Sequence, residues 1–150
     1  MDLVFPTEQG VFNYRVAGIF VKDGHVLIHR NVRDNFWALP GGRVTLGEEA
    51  ATALIRELHE ELDMHVTDTA FAFVHENLFT YNDQPFHEIG LYFYVDGDLP
   101  LQDGDFYGPE GDHLIYRWQK LDRLRDVTLY PEVLAQLPNR LPSHSLNPRT

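Results

Sequence analysis

Three glutamates, Glu57, Glu60 and Glu61, sit near the end of the stretch ALIRELHEEL, residues 53–62. On a helix they would cluster about one turn apart. That arrangement is locally unfavourable. Glu57 and Glu61 repel at i, i+4 by a few tenths of a kcal/mol. Glu60 and Glu61 also meet the negative end of the helix dipole, at roughly 0.3–1 kcal/mol each. A hard divalent cation reverses both penalties. Mg²⁺ takes oxygen ligands and commonly joins one or two carboxylates to substrate phosphate oxygens. Charge on a helix also marks an ordinary solvated face, so the glutamates alone leave both readings open.

The element that must carry them is an amphipathic helix. Ala51, Leu54, Ile55, Leu58 and Leu62 recur at helical spacing and predict one buried stripe, with the glutamates on another side. Ahead of the helix, Pro40-Gly41-Gly42 permits tight turns and close approach of backbone to a ligand, which marks Gly42 for substrate contact. Glu48 follows six residues after Gly42, and Arg56 directly precedes Glu57.

Taken together, Gly42, Glu48, Arg56-Glu57-Leu58 and Glu60-Glu61 resemble the Nudix box, Gly-x5-Glu-x7-Arg-Glu-U-x-Glu-Glu-x-Gly-U, where U is aliphatic. The likeness runs over Gly42–Met64 without insertion and meets six of the seven fixed positions. Asp63 stands where the family has its last Gly, and Met64 at its final aliphatic position. The resemblance implies an α/β/α sandwich with a central mixed β-sheet. It also implies hydrolysis of a diphosphate linked to another moiety. In that family Mg²⁺, sometimes Mn²⁺, is held by the glutamates corresponding to Glu57, Glu60 and Glu61. A carbonyl from the glycine turn, here Gly41, often completes the site. Arg56 and Glu48 would hold loop and helix in register. A further glutamate from a late loop often serves as ligand or base, and Glu110 is the candidate by position. Asp63 lies outside this chemistry, because a helix end wants a left-handed residue and Asp is a tolerated second choice to Gly.

Composition narrows the partners. One hundred and fifty residues suit a single domain with a sizeable core. There is no cysteine, hence no disulfide and no thiol chemistry. The net charge of −11 argues against long nucleic acid, which is bound by neutralising phosphates with Lys and Arg. A small nucleotide-type diphosphate remains open, because bound metal inverts local charge. No stretch has the roughly 20 apolar residues that span a bilayer, and the start has no signal-peptide pattern. The expectation is a cytoplasmic protein without a membrane partner; pairing as a homodimer is left open.

Along the chain, residues 1–12 show no period. Tyr14–Val21 and His25–His29 read as strands joined by a hairpin turn at Asp23-Gly24. Arg30 and Arg33 precede the box and are candidates for a substrate phosphate, since Arg offers a planar fork of donors. Trp37, in a short strand at 36–39, is a candidate for base stacking or for the core. Residues 67–69 read as a turn. Strands at 70–81 and 86–95 flank the turn cluster Asn82-Asp83-Gln84-Pro85. On the second, Ile89, Leu91, Phe93 and Val95 alternate with Glu88, Gly90, Tyr92 and Tyr94. Glu88 is an acid in an apolar and aromatic strand. A buried carboxylate needs a partner, which makes it a candidate metal ligand. Residues 97–112 read as a long loop and 113–118 as a strand. A short helix or turn at 121–125 and a short helix at 131–137 follow, then an irregular tail from Pro138. The elements interleave in one mixed sheet with helices on both faces.

Two classes of function fit. One is a metal-dependent pyrophosphohydrolase in which activated water attacks phosphorus. The other is a non-catalytic Nudix-like domain sensing a nucleotide-linked ligand. Such domains typically have lost box carboxylates, and this chain keeps all three. A prenyl diphosphate isomerase would want a cysteine in the usual scheme.

Overall fold

The structure, a computed structural model, describes residues 1–148. Eleven elements position the site. They are β1 (Val4–Thr7), β2 (Gly10–Ile19), β3 (Val21–Lys22), β4 (His25–Asn31), β5 (Gly41–Arg43), α1 (Ala50–Leu62), β6 (Val66–Tyr81), β7 (Gln84–Gly97), β8 (Phe106–Tyr107), β9 (Leu114–Lys120) and β10 (His144–Asn147). Two short 3₁₀ turns, Leu121–Asp126 and Glu132–Gln136, lie between β9 and β10.

The strands form a mixed sheet in the order β1-β2-β7-β6-β10, with β5 also on β2, and an antiparallel sheet in the order β3-β4-β9-β8. The mixed character comes from β2 on β7 and β10 on β6, which run parallel. This is the α/β architecture that the resemblance implied, with the sheet divided in two. The division happens at Phe20. The strand expected over 14–21 breaks there, so β2 stays in the large sheet while β3 begins the small one. Phe20 is buried and meets the Trp118 ring edge-on, with centroids 5.1 Å apart.

Strand alternation sends neighbours into different cores. Val16 joins Leu27, Leu54, Leu58, Tyr116 and Trp118 on the α1 side. Ala17 joins Ile28, Phe73, Tyr92 and Leu134 on the side of the 3₁₀ turns. On β7 Glu88, Gly90, Tyr92 and Val95 are buried, while Ile89, Leu91 and Phe93 are half-buried. Both faces of this strand meet a core: Tyr92 stacks flat on Phe73 with ring centroids 4.5 Å apart, and Val95 joins the α1 side.

Other local expectations are corrected too. Residues 67–69 continue β6, with a register shift between Val66 and Asp68 rather than a turn. Residues 36–39 contribute only isolated bridges at Trp37 and Ala38. The irregular tail contains β10, which pairs along Val74–Asn77. The first twelve residues supply β1 and the start of β2.

At the end of α1, Asp63 adopts the left-handed conformation, φ 52° and ψ 33°, and its N–H reaches the His59 carbonyl at 2.9 Å. Glycine enters that region without the Cβ penalty. Asp63→Gly should therefore raise stability by roughly 0.5–1 kcal/mol and leave turnover unchanged. A lower melting temperature for the variant would show that the Asp side chain contributes more than its conformation costs.

Candidate functional site

The helix wheel decides which glutamates matter. Ala53, Leu54, Leu58 and Leu62 are buried, whereas Ile55 is 42% exposed. The buried arc is thus rotated from the one expected. At about 100° per residue, Glu61 points about 20° from Leu54 and Glu57 about 60° from it, on the side toward Ala53. Glu57 and Glu61 therefore lie on the buried face of α1, not on a separate polar face. Glu60 lies farther round, at the edge of that face, and its side chain is half exposed.

Burial changes these acids. Glu61 has its Oε2 sealed from solvent without a hydrogen-bond partner. Desolvation, reinforced by the Glu57 carboxylate beside it, pushes its carboxyl up to about 8. Arg15 acts on Glu61 in the opposite direction, while Glu110 adds to the rise, so the late-loop glutamate is within the same electrostatic neighbourhood. Glu57 is likewise raised, chiefly by burial and against the pull of Arg56.

Arg56 organises the rest. It holds Glu48 with both ends of its fork, Nε to Oε2 and Nη2 to Oε1, each at 2.9 Å. Its Nη1 donates to Glu57 Oε1 at 3.1 Å and to Glu60 Oε2 at 3.3 Å. Its Nη2 also approaches the Arg43 carbonyl at 3.5 Å. The bidentate pair ties the segment after β5 to the middle of α1, and it holds the Glu48 carboxyl below its ordinary value.

The two glycines act by closeness, not by turning. Gly41–Arg43 is a strand on β2, in place of the expected turn. A Cβ on Gly42 would strike the Glu57 carboxylate, with Oε2 at 2.5 Å. A Cβ on Gly41 would strike the Val16 carbonyl and come within 2.7 Å of Ala17 Cα. Gly42 therefore forms the floor under Glu57.

Other candidates are placed differently. Arg30 donates Nη1 to the Asp34 carbonyl at 3.0 Å and caps its own loop. Trp37 is 6% exposed, and its ring carries the Arg117 guanidinium at 4.5 Å and that of Arg30 at 5.3 Å. Both residues are engaged in these packing contacts, which for Trp37 matches the core alternative. Arg33 is exposed at the loop surface. Glu88 is buried, but on the sheet face it shares with Tyr92, away from α1. The structure does not bring it to the box carboxylates. Its partner is Asn13, whose Nδ2 donates to Glu88 Oε2 at 2.6 Å.

Sequence reasoning missed Arg15, which donates to the Leu39 carbonyl at 2.7 Å and whose charge reaches Glu61 and His29. Its signal was present: it is the one charge in the strand GVFNYRVAGI. Burial, with Arg15 nearby, lowers the His29 imidazole to about 3, so it stays neutral.

The donor set fits a hard cation. It offers carboxylate oxygens, one of them buried and unpartnered. Among the described residues no three His, Asp or Glu side chains converge on a cation as they stand. Arg56 holds two of the box carboxylates instead.

The family model for the NUDIX domain matches residues 13–137. Over 59 residues the chain is 46% identical to a protein from Mycobacterium tuberculosis named putative 8-oxo-dGTP diphosphatase 2, covering 37% of this chain and 42% of that one. The chain thus spans less than half the length of that relative. The crystal structure of the mutator MutT protein from Bacillus halodurans matches with a TM-score of 0.60 at 20% identity, over 79% of this chain and 75% of that one. The MutT NUDIX hydrolase from Burkholderia pseudomallei gives 0.56 at 22%, over 74% and 84%. At such identities the solved structures speak for the fold alone. The family model spans most of the sequence and includes the whole box, and on that ground the chain belongs to the NUDIX family.

Proposed function

We propose that this protein is a metal-dependent pyrophosphohydrolase acting on a small nucleotide-type diphosphate. The observation that carries the reading is the buried, unpartnered Oε2 of Glu61 beside Glu57. A buried acid without a partner is costly in a purely structural role. Glu57, Glu60 and Glu61, with the Gly41 carbonyl, would hold Mg²⁺ or Mn²⁺. Bound there, the cation would activate the attacking water and offset charge on the phosphate oxygens. The chain's own residues do the remaining work. Gly42 leaves room for Glu57, Arg56 and Glu48 fix the helix against β5, and Glu110 would take the proton. The strongly acidic surface supports a small phosphorylated substrate rather than long nucleic acid, with the reaction taking place in the cytoplasm. Among the described residues no helix is long and apolar enough to cross a membrane.

The test is a panel of nucleoside triphosphates, sugar nucleotides, dinucleoside polyphosphates and dinucleotide coenzymes, assayed with Mg²⁺ or Mn²⁺. The M. tuberculosis relative's name adds 8-oxo-dGTP to the panel. We expect turnover of at least one compound that stops on chelation and returns with added cation. Undiminished hydrolysis in excess chelator would overturn the mechanism.

A further inference from the structure

We propose that His59 and His65 form a second metal site, for a borderline cation such as Zn²⁺, at the C-terminal end of α1. It is separate from the carboxylate site and does not rest on the hydrolase reading. His59 lies in the last turn of α1, and His65 directly precedes β6. Asp63, in its left-handed conformation, turns the chain between them. The two imidazole ring centroids come to 5.3 Å, with the planes tilted by 59°. A tetrahedral zinc predicts nearly that separation. With Zn–N roughly 2.0–2.1 Å, each ring centre stands about 3.2 Å from the metal, and an angle of about 109° puts the two centres about 5.2 Å apart.

The other ring nitrogens complete the pattern. His65 Nδ1 lies 3.2 Å from Asp98 Oδ2, and the His65 backbone N–H donates to Asp98 Oδ1 at 2.8 Å, so one carboxylate grips both ring and backbone. His59 Nδ1 faces Asp63 Oδ1 at 3.9 Å. Metal-binding histidines are oriented in this way, with one nitrogen toward a carboxylate and the other toward the cation. Packing of one ring on another does not require a carboxylate behind each. Both Nε2 atoms are left for a cation, on side chains that are 56% and 70% exposed. No third His, Asp or Glu converges with the pair among the described residues, so solvent would fill the remaining positions. The negative end of the helix dipole favours a cation here as well. At 100° per residue His59 points about 160° away from both Glu57 and Glu61, so the two sites lie on different sides of α1. Their chemistry differs too: imidazole suits Zn²⁺ and Cu²⁺, whereas carboxylate and water suit Mg²⁺. A cation on the histidines would clip the end of α1 to the start of β6.

The probes are Zn²⁺ and Cu²⁺, added to the full chain in excess Mg²⁺ so that the box carboxylates are occupied. Titration calorimetry should show Zn²⁺ bound by the wild type, and His59→Gln and His65→Gln should each weaken it about tenfold or more. Asp98→Asn should weaken it about tenfold, the lower end of the loss when the carboxylate behind a ligand is removed. Zn²⁺ should raise the melting temperature of the wild type by mass action and leave that of either histidine variant unchanged. The electron paramagnetic resonance spectrum of bound Cu²⁺ should carry coupling to two imidazole nitrogens. Both histidines are exposed, so the variants are expected to fold; if one does not, the nitrogen count on the wild type decides. Absence of Zn²⁺ binding overturns the proposal, and so does wild-type affinity in both histidine variants or a Cu²⁺ spectrum of oxygen ligands alone. Zn²⁺ binding lost in Glu57→Gln but kept in the histidine variants would put the ion at the box, sinking this site and leaving the hydrolase reading standing. Zn²⁺ binding at the histidines in a chain without Mg²⁺-dependent turnover would do the reverse.

Discussion

Gly41→Ala is expected to cost this protein its fold, while Gly42→Ala should fold and fail to turn over. The two residues are adjacent on β5 and differ in what surrounds them. At Gly41 a methyl would drive into the backbone of β2 at Val16 and Ala17. That strand is paired with β7 on its other side and cannot give way. Overpacking against fixed backbone puts the loss at about 3 kcal/mol or more. Against a total stability of roughly 5–15 kcal/mol, this leaves little or no margin. At Gly42 the methyl would meet the end of a flexible side chain, the Glu57 carboxylate. Glu57 can swing aside at a cost below about 1 kcal/mol, but then it leaves its place in the site. Turnover should fall about 10²-fold or more, the scale of losing a placed catalytic group. Thermal melts and one rate measurement on each variant separate the two outcomes. Wild-type turnover in Gly42→Ala would remove Glu57 from the chemistry.

Glu61→Gln is expected to raise metal-free stability and abolish most activity. The sign follows from linkage. Burial raises the folded-state carboxyl to about 8, above its unfolded value of 4.5. Such a group is harmless below 4.5, and the stability it forfeits grows as pH rises toward 8. Glutamine carries no charge and escapes that loss. At pH 8 the variant should be more stable than the wild type by about 1–3 kcal/mol, allowing for solvent relaxation around a partly buried group. The difference should vanish near pH 4. With Mg²⁺ the order should narrow or reverse, because a cation that binds the folded state stabilises the wild type by mass action. Turnover should drop about 10²-fold or more. A variant that melts several degrees below wild type with chelator at pH 8 would show that Glu61 has a structural duty.

Much of the fold was legible because some signals are local. The Asn82-Asp83 turn, with both residues at positive φ, and the β6–β7 hairpin around it follow from turn residues flanked by apolar runs. The box was legible because its residue types sit at fixed spacing. What escaped depended on contacts distant in sequence. The amphipathic stripe was centred too far round α1 because Ala53 weighs little in a hydrophobic pattern, yet it is fully buried. Its burial turns Glu57 and Glu61 inward. The β7 alternation does not choose a buried face, since both sets contain large apolar or aromatic residues and both faces meet a core, Tyr92 on one and Val95 on the other. β10 carries no strand signal in HSLN, because its pairing is dictated by the edge of β6. The link from Glu88 through Asn13 to Arg43 joins three strands far apart in sequence, so no local pattern announces it.

The parallel pairing of β10 on β6 has a consequence for how the protein is made. Residues of β6 leave the ribosome well before those of β10, with a delay of seconds at roughly 5–20 residues per second. During that interval the β6 edge along Val74–Asn77 has no partner, although β7 has already formed the other side of the hairpin. An unpaired edge is a template for other chains. Nascent copies on neighbouring ribosomes would therefore compete with the molecule's own late strand. The ordering of elements makes the crowded moments of synthesis, more than the finished fold, the period in which this chain most needs a chaperone.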